Sequence, residues 1–261
     1  MDANIAKAIP AFYDASVSSG LWTATLDSVV KSVPGAVGSL VIVVENCLDD
    51  SAKWDFQRAS SLFVKDKPEG AKYVEENFFE YEKEAWKYIS QQNPQDILSD
   101  TDFWTEPGLD DRPDYIFSIE EMGLRRKVGA RLNGNKCWFD TISVQLHKDH
   151  IAVPSSARDA LRLLLPHAAK AVELTRTFGL LEARYQAVLA ALNQVEIGLC
   201  IVLPSGEVMV ANHEAERILS CGDAIRRNPN SLLKCRATDR DAELQFAIQR
   251  AAATAGGESG S

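Results

Sequence analysis

The chain has 261 residues, 46% hydrophobic and 25% charged, with 28 Lys+Arg against 37 Asp+Glu and a formal net charge of −9. These values exclude collagen-like, disordered and disulfide-scaffold classes. The acidic balance excludes a polyanion-binding surface spread over the whole molecule, because excess carboxylates repel phosphates at long range.

At about 150 residues per domain, the length suits two modest domains, each able to bury a core. Cys47, Cys137, Cys200, Cys221 and Cys235 are scattered, with no CxxC pair and no histidine at zinc-finger spacing. That usage fits a reducing compartment. The first residues, MDANIAKAIPAFYDAS, have no apolar core behind a basic segment, and no run approaches the roughly 18 apolar residues of a membrane span. The expected location is cytoplasmic, with no membrane partner.

In chain order, residues 3–15 and 21–33 read as amphipathic helices, with Ile5, Ile9, Phe12 and Tyr13, then Leu21, Trp22, Leu26, Val29 and Val30, at three- and four-residue steps. After Pro34-Gly35, the β-branched run 36–45 reads as a buried strand, and a second strand is expected around 54–62. Residues 73–91 predict a long helix dense in aromatics. A turn-rich acidic stretch over 93–113 leads to a helix over 114–122, closed by Gly123. Strands over 126–132 and 136–147 flank Asn133-Gly134-Asn135, a hairpin signal.

This order predicts an α+β fold, an antiparallel sheet with packed helices, over residues 1–154. A long helix over 155–193 follows, in which Pro166 is expected to kink or interrupt only the first turns. Leu164, Ala171, Leu174, Phe178, Leu181, Tyr185, Val188 and Leu192 recur at alternating steps of three and four, with His167 in the intervening slot. Leu161 to Leu165 suit either packing on the chain's own sheet or a seam. From Leu174 through Phe178, Leu181, Tyr185, Val188 and Leu192 the pattern is that of a parallel homodimer seam.

Residues 194–261 form a second unit. A strand over 197–203, a Pro204-Ser205-Gly206 turn and a strand over 207–211 lead to Asn212, which opens a helix over 213–220. A last helix over 241–253 ends in a Gly/Ser-rich tail.

The string IGLCIVLPSGEVMVANHEAERIL, with Gly198, Gly206 and Asn212, resembles the opening of a PAS sensory domain. Together with the preceding helix, LLLPHAAKAVELTRTF, it is similar to the arrangement in bacterial LuxR-type transcriptional regulators; the Phe12-Tyr13-Asp14-Ala15 and Leu21-Trp22 segments resemble the start of their sensor domains. The resemblance implies a GAF- or PAS-like sensor domain, a signalling helix, an incomplete PAS-like domain, and a helix-turn-helix that reads DNA. This sequence carries no helix-turn-helix segment and lacks about three strands expected after the last helix. The reading is therefore a sensor portion or a regulator that has lost its output domain, with DNA bound only through a domain outside this chain. The Trp/Tyr/Asp anchors of acyl-homoserine-lactone receptors do not align to it, so the resemblance implies no ligand identity.

Catalytic motifs are missing: there is no GxxxxGK[ST], GxGxxG or GxSxG. His147 and His150 read as solvated turn histidines rather than metal ligands, and Cys137 as a buried hydrophobe. The glutamates between 75 and 84, interleaved with Lys72, Lys83 and Lys87, read as a solvated ion-paired face. No enzyme activity, cofactor or metal is expected.

What remains is binding. The aromatics between 54 and 138 exceed what a small core needs, and Phe56, Tyr81, Trp86 and Trp138 are the expected walls of a pocket for a small-molecule effector between sheet and helices. The competing reading is a ligand-free PAS/GAF-type scaffold for a protein partner, with the same aromatics only filling the core.

Overall fold

The computed structural model describes residues 2–45, 56–60, 73, 76–104, 108–134 and 138–255. Two compact units, residues 1–178 and 179–261, divide the chain. The fold is α+β, as the sequence predicts.

In the first unit, α1 (Ala3–Val17) starts at Asp2, whose carboxylate accepts from the Asn4 N–H at 2.7 Å. Ile5, Ala8, Phe12 and Ala15 line its buried stripe, and Trp22, Leu26 and Val29 that of α2 (Trp22–Ser32). Phe12 meets Trp22 edge to face at 6.2 Å, and the Thr25 hydroxyl donates to the Ala11 carbonyl, so the two helices enter the sheet layer as a pair.

Strand β1 (Ala36–Glu45) has the predicted bounds, and β2 (Phe56–Ser60) falls inside the predicted second strand. Helix α3 (Phe79–Ser90) is shorter than the predicted 73–91: Tyr73, Glu76 and Asn77 are helical, but the chain bends at Phe78, with φ −121° and ψ 15°. There follow β3 (Leu98–Ser99), the single-turn α4 (Asp100–Phe103) and α5 (Pro113–Phe117), which widens into a π-turn over Ser118–Met122. Gly123 closes that turn at φ 73°, a conformation that costs glycine nothing.

Strands β4 (Leu124–Arg131) and β5 (Trp138–His147) form the expected antiparallel pair, and the sheet runs β2-β1-β5-β4-β3, every neighbour antiparallel. The end of the predicted turn, 135–137, lies outside the described residues, and with it Cys137.

Because side chains alternate across a strand, register divides the sheet into two unlike faces. Val41 opposite Ile142, with Val128, Ala130, Val144 and Leu146, joins the core made with α1, α2 and the first half of α6 (Ser155–Leu192). In α6, Leu161, Leu164, Leu165, Ala168, Ala171 and Val172 are buried in that core. Leu161 to Leu165 thus pack on the chain's own sheet, and Leu164 and Ala171 are core rather than seam. Of the expected kink or interruption at Pro166, the interruption is absent: the helix runs from Ser155 to Leu192. The neighbouring His167 meets the Tyr13 hydroxyl through Nδ1 at 2.9 Å.

Past Ala171 the helix emerges. Leu174 is half-buried, whereas Phe178, Leu181, Tyr185 and Val188 are 41%, 54%, 44% and 52% exposed.

In the second unit, β6 (Cys200–Val202) pairs with β7 (Val208–Ala211) around the turn at Gly206, φ 85°. The strand is shorter than the predicted 197–203. Asn212 is fully buried and caps α7 (His213–Cys221): its Oδ1 accepts from the N–H groups of Ala215 and Leu199, and its Nδ2 donates to the carbonyls of Leu192, Val195 and Ile197. A second antiparallel pair, β8 (Ile225–Arg227) and β9 (Leu233–Cys235), precedes α8 (Thr238–Ala255) and was not foreseen from the sequence. Gln245 of α8 donates to the Leu233 carbonyl, and the Asp241 carboxylate accepts from the Cys235 N–H.

Candidate functional site

The other face of the first sheet carries the site. It presents Leu40, Ile42, Phe139, Thr141, Ser143, Gln145, Lys127, Gly129 and Arg131, a polar mixture unlike the aliphatic core face. A polar sheet face normally looks to water. Here Thr141 and Gln145 are about 4% exposed, and beside Gln145 on β4 the Lys127 ammonium lies near the buried Tyr115 ring.

Gln145 donates through Nε2 to the Ser143 hydroxyl at 3.1 Å, and its Oε1 is a buried acceptor that meets no donor among the described residues. Leaving such an acceptor unmet costs about 1–3 kcal/mol.

Asp100 sits at the start of α4, immediately after β3, and is 1% exposed. Its carboxylate accepts from the Tyr115 hydroxyl at 2.7 Å and from the Lys127 N–H at 3.1 Å. Burial pushes its pKa up from the usual carboxylate value; those two hydrogen bonds and the charges of Arg126 and Lys127 pull it down and offset only part of the shift. The Lys127 ammonium stands 5.9 Å from the centre of the Tyr115 ring.

The edge of the site is braced from two sides. Ser99 and Asp102 form a capping box on α4, and Arg158 of α6 reaches the Ser99 hydroxyl at 2.9 Å and Asp102 at 3.3 Å. Burial would raise the Asp102 pKa, but the Ser99 hydrogen bonds and Arg158 outweigh it and hold it below the usual range. Asp110 behaves likewise: desolvation opposes ionisation, yet Arg126 and Arg125, at 2.6 and 2.9 Å, keep its carboxylate strongly acidic. Arg131 extends from the sheet to donate to the Ser90 carbonyl at the end of α3 at 2.6 Å.

Of the expected pocket walls, Tyr81 is half-buried and Trp86 is buried, both on α3, where Tyr81 faces the Arg112 guanidinium at 4.6 Å. Phe56 and Trp138 belong to β2 and β5, but their side chains lie outside the described residues. The structure adds Asp100, Trp104, Arg112, Tyr115, Lys127 and Gln145. The cue available for these was the Ser99-x-x-Asp102 capping signature, which marks a helix start inside the stretch read only as turn-rich.

Among the described residues, no group of His, Cys, Asp and Glu is arranged to hold a metal ion, and no helix is long and apolar enough to cross a membrane. His147 pairs with Asp149 at 3.0 Å near the surface. His150 departs from the solvated reading: its ring packs over Gly35, where φ is 79° and an added Cβ would stand 2.3 Å from Nε2.

No family model and no curated relative match the chain. Among solved structures, it is similar to the ligand-binding domain of VqsR from Pseudomonas aeruginosa at 9% identity, over 68% of this chain and 99% of that one, with a TM-score of 0.47.

Proposed function

We propose that the chain is the sensory portion of a bacterial helix-turn-helix transcriptional regulator, a non-enzymatic module in which a small molecule on the polar sheet face biases a dimeric signalling helix. The single observation that supports the effector half is the buried Gln145 acceptor that meets no donor among the described residues, beside Asp100, Tyr115 and Lys127 on the polar sheet face. Polar anchors inside a mainly aromatic enclosure are the composition of a small-molecule site. A scaffold that used this face only as core would gain more from aliphatic residues there.

The signalling half is supported by the stripe Leu174, Phe178, Leu181, Tyr185, Val188 and Leu192 on α6, at steps of four and three. A helix of this length gains most of its stability from packing, and the middle four of these residues are more than 40% exposed. A second copy offers the same spacing and so the matching holes. An effector shifts such a device only by binding one helix arrangement better than the other.

Two measurements test the reading. In a thermal-shift screen against a broad metabolite set, an effector that binds only the native state raises the melting temperature by mass action; silence across the set favours the partner scaffold. In gel filtration with light scattering, the parent chain is expected to run as a dimer and Leu181→Lys or Val188→Lys as a monomer. A monomeric parent removes the seam from the proposal.

A further inference from the structure

Arg112 occupies a box of aromatic rings. Its guanidinium carbon lies 3.7 Å from the centre of the Trp104 ring, 4.6 Å from that of Tyr81 and 5.9 Å from that of Tyr115. Its Nε and Nη2 meet the two oxygens of Asp114 at 3.1 and 3.3 Å. Three ring faces and one carboxylate around a single charge make a cation receptor: the negative faces of the rings attract the charge, and the attraction grows as water is excluded. Asp114 and Tyr115 are buried, while Tyr81, Trp104 and Arg112 are half-buried, so the box is shielded on one side and open to water on the other.

The walls of the box do not depend on its occupant. Tyr115 is held by Asp100 at 2.7 Å, Trp104 packs on Phe103 at 4.6 Å and edge-on to Tyr115 at 6.1 Å, and the Asp114 backbone carbonyl accepts from the Ser118 hydroxyl at 2.6 Å. Nor does the occupant's backbone depend on the box. Arg112 donates its own N–H to the Leu109 carbonyl, and Pro113 begins α5 without a guanidinium contact. The Arg112 side chain can therefore swing out without unravelling the helix that carries two of the walls, and what it leaves behind is an aromatic cage with a buried negative charge.

We infer that this box is the effector's cation subsite and that Arg112 is its internal stand-in, displaced when an organic cation of the quaternary ammonium or guanidinium class enters. The inference rests on the small-molecule reading above and names the ligand class. While Arg112 occupies the box, only the fraction of molecules with the side chain out is competent to bind, and affinity for an external cation falls by that fraction. Removing the guanidinium should raise the affinity.

The test is titration of the parent chain, Arg112→Ala and Arg112→Gln with choline, followed by tryptophan fluorescence and calorimetry, with neutral 3,3-dimethylbutanol as the uncharged isostere. The expected result is choline binding about tenfold or more tighter in both variants than in the parent, little binding of the alcohol, and loss of choline binding when Trp104→Leu is added. Equal affinities for choline and the alcohol, or for parent and variants, overturn the assignment. So does failure of choline to bind variants that melt as cooperatively as the parent. Loss of folding in both variants makes Arg112 a structural strut and overturns it as well. Neutral or anionic metabolites that stabilise the parent while choline fails in the variants overturn the cage and leave the sensor reading standing. Choline binding to the variants with no compound stabilising the parent does the reverse.

Discussion

Asp140 on β5 and Arg176 on α6 form a two-pronged ion pair, with the two guanidinium termini at 2.6 and 2.9 Å from the two carboxylate oxygens. The side chains are 2% and 15% exposed, and Asp140 also accepts from Asn133. The pair fixes the sheet to the helix two residues before Phe178, the first fully emergent residue of the apolar stripe. Asp140 is also the neighbour of Phe139, which points to the opposite, polar face. On β5, one residue thus separates the polar face from the ion pair with α6.

Breaking this pair from one side should be costly. Removing one partner of a buried ion pair leaves an uncompensated charge and destabilises by about 3–5 kcal/mol. Arg176→Met is expected to lower the urea midpoint accordingly, while Asp140→Asn combined with Arg176→Met should cost clearly less than the two single changes added together. Strict additivity in this double-mutant cycle would show that the two groups do not act as a pair.

Asn212 makes a prediction for the second unit. Its amide closes five backbone contacts, three as donor and two as acceptor. Asn212→Ala loses the helix cap and the side-chain donor to the carbonyls of Val195 and Ile197, while the Leu192 carbonyl keeps the Val195 N–H, for an expected cost of about 2 kcal/mol. Asn212→Asp keeps the cap but has no N–H to donate, so it too should destabilise. If the aspartate variant matches the parent in chemical denaturation followed by circular dichroism, the donor half of the amide contributes nothing.

These two sites differ in how far the sequence disclosed them. Asn212 was legible because a cap acts locally: an Asn directly after a strand and before an apolar-periodic segment has one favoured use. For the same reason the periodicity of α1, α2, β1 and the β4–β5 pair gave the α+β layer. The polar face of the first unit was not legible, since Asp100, Arg112, Tyr115, Lys127 and Gln145 come together only through tertiary folding. Ser143 and Gln145 alternate with Val144 and Leu146, a period that separates two faces of a strand but does not say that the polar one is buried. Strands β8 and β9 escaped because three residues, such as Ile225-Arg226-Arg227, are too few to show a period.

Gly129 tests the close fit of the central strands. A Cβ there would stand 2.2 Å from the Ile142 carbonyl oxygen and 2.8 Å from the Ser143 Cα, both backbone atoms that cannot swing aside. Gly129→Ala should therefore force β4 away from β5 and cost about 1–3 kcal/mol, despite alanine's lower entropic cost on folding. Gly20→Ala, where no atom lies within 4 Å of the added carbon, is the control and should change stability by only a few tenths of a kcal/mol. Equal melting temperatures for the two variants would mean that the strand separation adjusts freely.

The carboxyl of Asp100 should leave a signature opposite to that of its neighbours. Burial raises its pKa in the folded protein above 3.8, so the native state holds this proton more tightly than the unfolded chain. Its contribution to stability is then complete below that unfolded value and is lost as the pH rises through the higher folded one. Asp102 and Asp110 have lowered values, so their contributions are present above 3.8 and are lost as the pH falls. Asp100→Asn removes the titration: asparagine keeps an oxygen for the Tyr115 hydroxyl and the Lys127 N–H and loses the one that accepts from the Thr101 N–H, a cost that does not vary with pH. Measured by urea denaturation from about pH 4 to pH 7, the stability of the parent minus that of Asp100→Asn should decrease with rising pH and level off once Asp100 is ionised. A difference that grows with pH would mean that the hydrogen bonds from Tyr115 and Lys127 outweigh desolvation. Asp100 would then be a carboxylate anchored mainly by its hydrogen bonds rather than one whose burial favours the protonated form.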